Sequence, residues 1–203
     1  KKENGNGNGR AEPLSLAGSG PADEAVSAQL LEIVEQGEDP DGEEKAKARL
    51  KALGLLRRMV SNWVQSISVA RKHSTAEDPS DGGARVHTFG SYRLGVHTMK
   101  SDIDCLCVAP RYVGRYEFFV SLVKLLEETP EVGDLHPIPD AYVPVIKFRC
   151  YGVEMDLLFA RLSLPVINDT VDLLDSQNLA NMDDKSIVSL NGYRVTEMIL
   201  RLV

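Results

Sequence analysis

At 203 residues, with 43% hydrophobic and 26% charged side chains, the chain is long enough for one domain and part of another, and its composition is that of a globular protein. No apolar run approaches the roughly 20 residues needed to cross a bilayer, and no apolar stretch follows the basic start as a secretory signal would require, so no membrane partner and an intracellular setting are expected. The formal net charge of −7 argues against a uniformly basic polyanion binder, but residues 1–50 hold 6 Lys+Arg against 11 Asp+Glu while residues 51–203 hold 17 against 19, so the excess acid lies mostly in the leader.

Lys1 to Ala22 is rich in Gly, Asn, Ser and Pro and reads as a disordered leader. Asp23 to Gln36 is a short amphipathic helix with Val26, Leu30, Ile33 and Val34 at helical spacing, ended by Gly37 and Pro40. Glu43 to Lys72 is a long helix whose stripe of Leu50, Leu53, Leu56, Val60, Trp63, Val64 and Ile67 predicts a packing face. A polar loop from His73 to Ala84 precedes a strand at Arg85 to Phe89, and Gly90 with Ser91 opens a helical turn.

Ile103 to Ala109 is the next strand, and Tyr116 to Glu127 the next helix. Tyr142 to Cys150 and Val153 to Ala160 form a hairpin about the Tyr151-Gly152 turn. Leu162 to Asp184 is irregular and acidic, and Asn191 to Leu202 is a helix. Strands interleaved with helices predict an α+β fold, a mixed sheet flanked by helices. Cys105, Cys107 and Cys150 sit in apolar stretches and read as reduced core thiols; no second Cys or His pair lies at zinc spacing from the first two.

The chemistry concentrates in FGSYRLGVHTMKSDIDCLCV, Phe89 to Val108, where a Gly-Ser pair is followed by Asp-Ile-Asp. Either half alone is common. Together they are specific, because period-two geometry puts Asp102 and Asp104 on one face of a strand and turns Ile103 and Cys105 to the other. Two like charges this close raise a pKa unless a cation neutralises them, and hard oxygen donors select Mg²⁺ or Mn²⁺. Asp156 is a second anomaly, an acid inside the apolar strand VEMDLLFA, where a lone carboxylate would cost several kcal/mol. Three carboxylates on neighbouring strands suit a pair of ions about 3.5 to 4 Å apart, as in-line displacement at phosphorus requires. Gly90 lets backbone approach a phosphate, and Ser91 adds a hydroxyl, so these two are candidates for the β and γ phosphates. His97 reads as a turn residue, and Lys147 and Arg149 as a strand face open either to solvent or to RNA phosphate.

Hydrophobic-Gly-Ser followed by Asp-hydrophobic-Asp-hydrophobic resembles the signature of the DNA polymerase beta-like nucleotidyltransferase superfamily. FGSYRLGVHT, SDIDCLCVAPR, YVPVIKF, VEMDLLFARL and SLNGYRVTEMIL are similar, in order and spacing, to the nuclear poly(A) polymerases of eukaryotes. The resemblance covers about Lys51 to Val203. It implies that Asp102, Asp104 and Asp156 bind two Mg²⁺ (or Mn²⁺), that Phe89, Gly90, Ser91 and Thr98 line the ATP site, that Asn191 contacts the nucleotide sugar, and that Tyr142 lies against the RNA 3′ end. It further implies template-independent transfer of AMP from ATP to an RNA 3′-hydroxyl, a nuclear location and mRNA 3′-end processing factors as partners.

By the same resemblance residues 23–48 are a helical segment belonging to a central domain, 49–164 the nucleotidyltransferase domain, and 165–203 the start of that central domain, which in the family supplies a lysine and a tyrosine to the nucleotide. Met99 and Lys100 depart from the family, where Lys and Gly are usual. A terminal uridylyltransferase shares the same triad, and an inactive nucleotide-binding module would keep the same fold; both stay open as alternatives.

Overall fold

The computed structural model describes residues 18, 20–37, 42–71, 83–98 and 100–202. The chain divides into two compact units, Lys1–Asp39 and Pro40–Val203. Among its described residues the first contains one helix, α1 (Pro21–Gly37), which starts inside the stretch expected to be leader; Gly20 donates its amide to the Asp23 carboxylate at 2.9 Å, closing the first turn. Residues 1–17 and 19 of the leader and most of the loop expected between His73 and Ala84 lie outside the described residues.

The second unit is built on a five-stranded sheet in the order β1-β2-β5-β4-β3, with strands β1 (Arg85–Phe89), β2 (Ile103–Ala109), β3 (Val132–Ile138), β4 (Val145–Cys150) and β5 (Val153–Arg161). β2 and β5 run parallel and every other neighbour pair is antiparallel, so the sheet is mixed and the fold α+β. Helix α2 (Glu43–Ala70) and the helical run of α4 (Arg115–Glu117), a π-turn (Phe118–Leu122) and α5 (Val123–Glu127) bury one face of the sheet. Trp63 anchors that layer, with its indole N–H donating to Ser121 Oγ at 2.8 Å and its ring 6.4 Å from that of Phe118, which in turn lies 4.9 Å from Phe159.

The opposite face is covered by the segment after β5 and by α6 (Asp184–Leu202), through Leu162, Ile167, Leu173 and Leu190. β2 is therefore covered on both sides. Ile103, Cys105 and Cys107 point into the first layer and Leu106 and Val108 into the second, which is why the strand reads as one apolar run broken only by Asp104. Cys105, Cys107 and Cys150 are free and buried, and burial pushes all three thiols up, that of Cys107 to about 12, so they are neutral core groups.

Three sequence expectations need correction, and β3 is an added element in a stretch to which no element was assigned. Interrupted by Gly133, Asp134 and Pro137, it survives as an edge strand with a register shift between Gly133 and His136, where such residues are tolerated. The strand expected from Tyr142 begins at Val145, since Pro144 has no amide to donate and residues 141–143 form a bend. Helix α6 starts at Asp184 and not Asn191. Asp183 caps it, accepting the Ser186 amide at 3.0 Å, and is itself held by Arg115 at 3.0 Å. Finally, Leu50 is 65% exposed, and the place on the α2 stripe next to it is taken by Arg49 at 3%.

Candidate active site

The triad is assembled by strand pairing. Asp104 in β2 lies directly across from Asp156 in β5, and the same rung continues outward through Phe89 of β1 on one side and Lys147 of β4 on the other. Asp102 stands just before β2, and one carboxylate oxygen from each of Asp102, Asp104 and Asp156 lies within 4.8 Å of the others. All three side chains are half-buried. Their outward face is the one that period-two geometry assigned to the aspartates, with Ile103, Cys105, Met155 and Leu157 fully buried behind them.

Three acids this close repel each other. Burial first, and then the negative charges of Asp102 and Asp156, push the Asp104 carboxyl up to about 6, while Lys147 acts in the opposite direction. Lys147 forms an ion pair with Asp156, which holds its ammonium above the usual lysine range. This partner was missed as a member of the site. Counting back from the two-residue turn at Tyr151-Gly152 places Lys147 opposite Asp156, so the hairpin already contained the signal.

The arrangement fits a divalent cation on its own chemistry, with hard oxygen donors only, crowded enough to raise a pKa, and partly neutralised by one lysine. The raised Asp104 pKa also sets a sign. Relative to the unfolded chain the folded metal-free state binds the Asp104 proton more tightly, so this group contributes stability that is present below about pH 4 and is lost as pH rises through about 6. Because the carboxylate is only half-buried, solvent screening reduces the effect to about 1 to 2 kcal/mol. Asp104→Asn is therefore expected to raise the melting temperature of the metal-free chain at pH 7.5 by about 2–8 °C. That gain should vanish near pH 4, as read by thermal unfolding in chelator at both pH values.

The remaining sequence candidates surround this point to differing degrees. Phe89 ends β1 and α3 (Gly90–Leu94) begins directly after it. Gly90 has φ +66°, and a Cβ there would sit 2.2 Å from Asp104 Oδ2, so only glycine leaves the carboxylate its position. The Gly90 amide donates to Thr196 Oγ1 of α6 at 3.0 Å, and Arg93 pairs with Glu197 at 2.8 Å, tying the turn to that helix. Ser91 is half-buried on the same turn. Phe89 is 7% exposed and its ring lies under Gly192, where a Cβ would come within 2.5 Å of it, so Phe89 serves as packing beneath α6.

Thr98 is exposed, in a turn where its amide donates to Ser101 Oγ at 2.9 Å. His97 packs against Tyr92, with ring centroids 5.0 Å apart and the rings tilted by 50°. Asn191 is exposed on α6. Tyr142 is 78% exposed, with Lys185 donating to its carbonyl at 3.0 Å and lying 5.7 Å from its ring centroid.

A family model described as the poly(A) polymerase nucleotidyltransferase domain matches residues 9–203. Nuclear poly(A) polymerase 1 of Arabidopsis thaliana is 42% identical over 203 residues, which is all of this chain and 28% of that protein. The poly(A) polymerase pla1 of Schizosaccharomyces pombe is 38% identical over 191 residues, 94% of this chain and 34% of that one. The chain thus spans about a third or less of the length of the curated relatives it matches. Among solved structures, one of the Cid1 poly(U) polymerase aligns with 67% of this chain and 37% of its own at 17% identity and a TM-score of 0.46, too distant to bear on the assignment. A match to the family model over nearly the whole length, with the triad assembled on neighbouring strands, shows that the chain belongs to the poly(A) polymerase nucleotidyltransferase domain family.

Proposed function

We propose that this domain is the catalytic core of an RNA 3′-adenylyltransferase, which moves AMP from ATP to the 3′-hydroxyl of RNA without a template. The observation that carries the reading is the convergence of Asp102, Asp104 and Asp156 within 4.8 Å beside the Gly90-Ser91 turn. These three carboxylates would hold two divalent ions, Mg²⁺ or Mn²⁺. Bound there, the ions supply positive charge that stabilises the attacking and leaving oxygens at phosphorus.

The chain's own residues set the geometry. Gly90 leaves the space beside Asp104 clear, Ser91 offers a hydroxyl toward the triphosphate, and Thr98 and Asn191 lie at the positions that face the nucleotide in the resemblance, with Phe89 supporting the turn from below. Tyr142, exposed and steadied by Lys185, is suited to stack on the terminal base of the RNA. Lys147 neutralises Asp156 while no ion is bound and must give way when one binds. The Arabidopsis relatives are named as nuclear poly(A) polymerases, which supports a nuclear location and a role in polyadenylation; 3′-end processing factors as partners rest on the family resemblance alone.

The test is nucleotide addition by the polypeptide that carries this domain, given a primer RNA, Mg²⁺ and each of the four nucleoside triphosphates in turn. Extension with a preference for ATP of at least about tenfold, roughly 1.4 kcal/mol of discrimination, is expected. Preferential use of UTP would replace the adenylyl reading by the uridylyl one. Nucleotide binding that ignores Mg²⁺, with no extension by any triphosphate, would overturn the catalytic reading altogether.

A further inference from the structure

Among the described residues Arg49 of α2 is the only charged side chain that is buried, at 3% exposure. A guanidinium this deep costs several kcal/mol in lost hydration unless its donors are satisfied in place. Its Nη1 donates to the carbonyl of Ser101 at 3.0 Å and its Nη2 to the carbonyl of Thr98 at 3.0 Å. The guanidinium also lies 5.9 Å from the ring centroid of Tyr92. One side chain thus reaches both approaches to the site, the turn that runs into Asp102 and the helical turn that begins with Gly90 and Ser91.

The three acids do not depend equally on outside support. Asp104 and Asp156 face each other across a parallel ladder, so their spacing comes from the backbone hydrogen bonds of β2 and β5. Asp102 precedes β2 and has no rung. It hangs from a turn closed between Thr98 and Ser101, in which Ser101 donates its amide to the Thr98 carbonyl at 3.1 Å and Thr98 donates its own to Ser101 Oγ at 2.9 Å. That turn is closed on itself but needs an anchor to the rest of the unit, and the fork of Arg49 grips the carbonyls at both of its ends. Lysine could not reproduce this, being a point charge without the planar fork.

We propose that Arg49 is a positioning residue for the metal centre, fixing through the Thr98 and Ser101 carbonyls where Asp102 presents its carboxylate. The role rests on the metal-binding reading of the triad. It requires no contact between Arg49 and nucleotide, RNA or ion, and it assigns to α2 a task beyond packing.

The experiment is a titration of this chain with Mn²⁺ followed by electron paramagnetic resonance, on the wild type, Arg49→Met, Arg49→Lys and Asp102→Ala, well below the melting temperature of each. Groups that orient ligands typically change metal affinity about 10- to 100-fold, and Arg49→Met is expected to weaken Mn²⁺ binding within that range, with Arg49→Lys in between. In the metal-free chain, hydrogen exchange at the amides of residues 98–103 should speed up in Arg49→Met relative to the amides of β5. If Asp102→Ala loses Mn²⁺ while both Arg49 variants stay within about twofold of wild type, the positioning role is wrong and Arg49 is a packing residue. If Asp102→Ala itself binds Mn²⁺ as well as wild type, it is the metal reading of the triad that fails. Should Arg49→Met not fold by circular dichroism, Arg49→Lys decides alone, and an unchanged affinity there overturns the proposal.

Discussion

Asp102→Ala, Asp104→Ala and Asp156→Ala are each expected to slow nucleotide addition by on the order of 10⁴-fold, the equivalent of about 5 kcal/mol of transition-state stabilisation, and to do so in kcat rather than in KM. The fold should survive all three. None of the side chains belongs to either apolar cluster, and the strands that carry them are held by Ile103, Cys105, Met155 and Leu157 behind them. The three variants should nevertheless differ in stability without metal. Asp104→Ala removes the most crowded charge. Asp156→Ala frees Lys147, whose side chain is 47% exposed and can rejoin solvent at little cost. Thermal unfolding in chelator, run beside the activity assay, checks this. A large drop in melting temperature for Asp156→Ala would mean that the carboxylate serves the fold rather than an ion.

Gly90→Ala is expected to have the second largest effect, although the change is one methyl group. A Cβ would fall 2.2 Å from Asp104 Oδ2 and 3.2 Å from its Cγ. The short aspartate side chain can yield only by swinging its carboxylate off the rung it shares with Asp156. The backbone at φ +66° adds about 1 to 2 kcal/mol of strain for any residue with a Cβ. Loss of Mn²⁺ affinity together with a drop in turnover of on the order of 10² to 10³-fold is expected, because small misplacements of reacting groups cost that much. Gly95→Ala is the control, since it also has positive φ but meets no atom within 4 Å of the added Cβ. If the two variants lost activity equally, backbone strain and not the clash with Asp104 would be the cause.

The strands that carry the acids were legible because their burial is one-sided near the acids and two-sided beyond them. Asp-Ile-Asp at the head of an apolar run, and Asp156 inside another, stand out against that background, and β2 and β5 pair with the two acids on one rung as the reading required. What the sequence hid was set by contacts between distant segments. β3 carries a proline and a glycine that local rules assign to a loop, and it is a strand only because the free edge of β4 accepts it. The first two turns of α6 fell outside the expected helix, since nothing local announces that Asp183 caps Ser186 under the hold of Arg115.

The α2 stripe was read one residue off at its start. Leucine is the better guess for a buried position, and only the carbonyls of Thr98 and Ser101, about fifty residues away in sequence, make Arg49 the occupant. The surroundings of the triad leave the weakest trace in the sequence. The structure places Phe89 beneath α6, and Thr98, Asn191 and Tyr142 at the surface, and no periodicity distinguishes such positions.

The rung shared by Asp104 and Asp156 has a consequence for control. Interstrand spacing is nearly invariant, about 4.8 Å in any sheet, so no signal arriving from the helices can widen or narrow that pair without breaking the ladder. Adjustable behaviour in this domain, whether tuning by a binding partner or drift among relatives, has to enter through the one acid that hangs outside the ladder, and so through the turn that carries it.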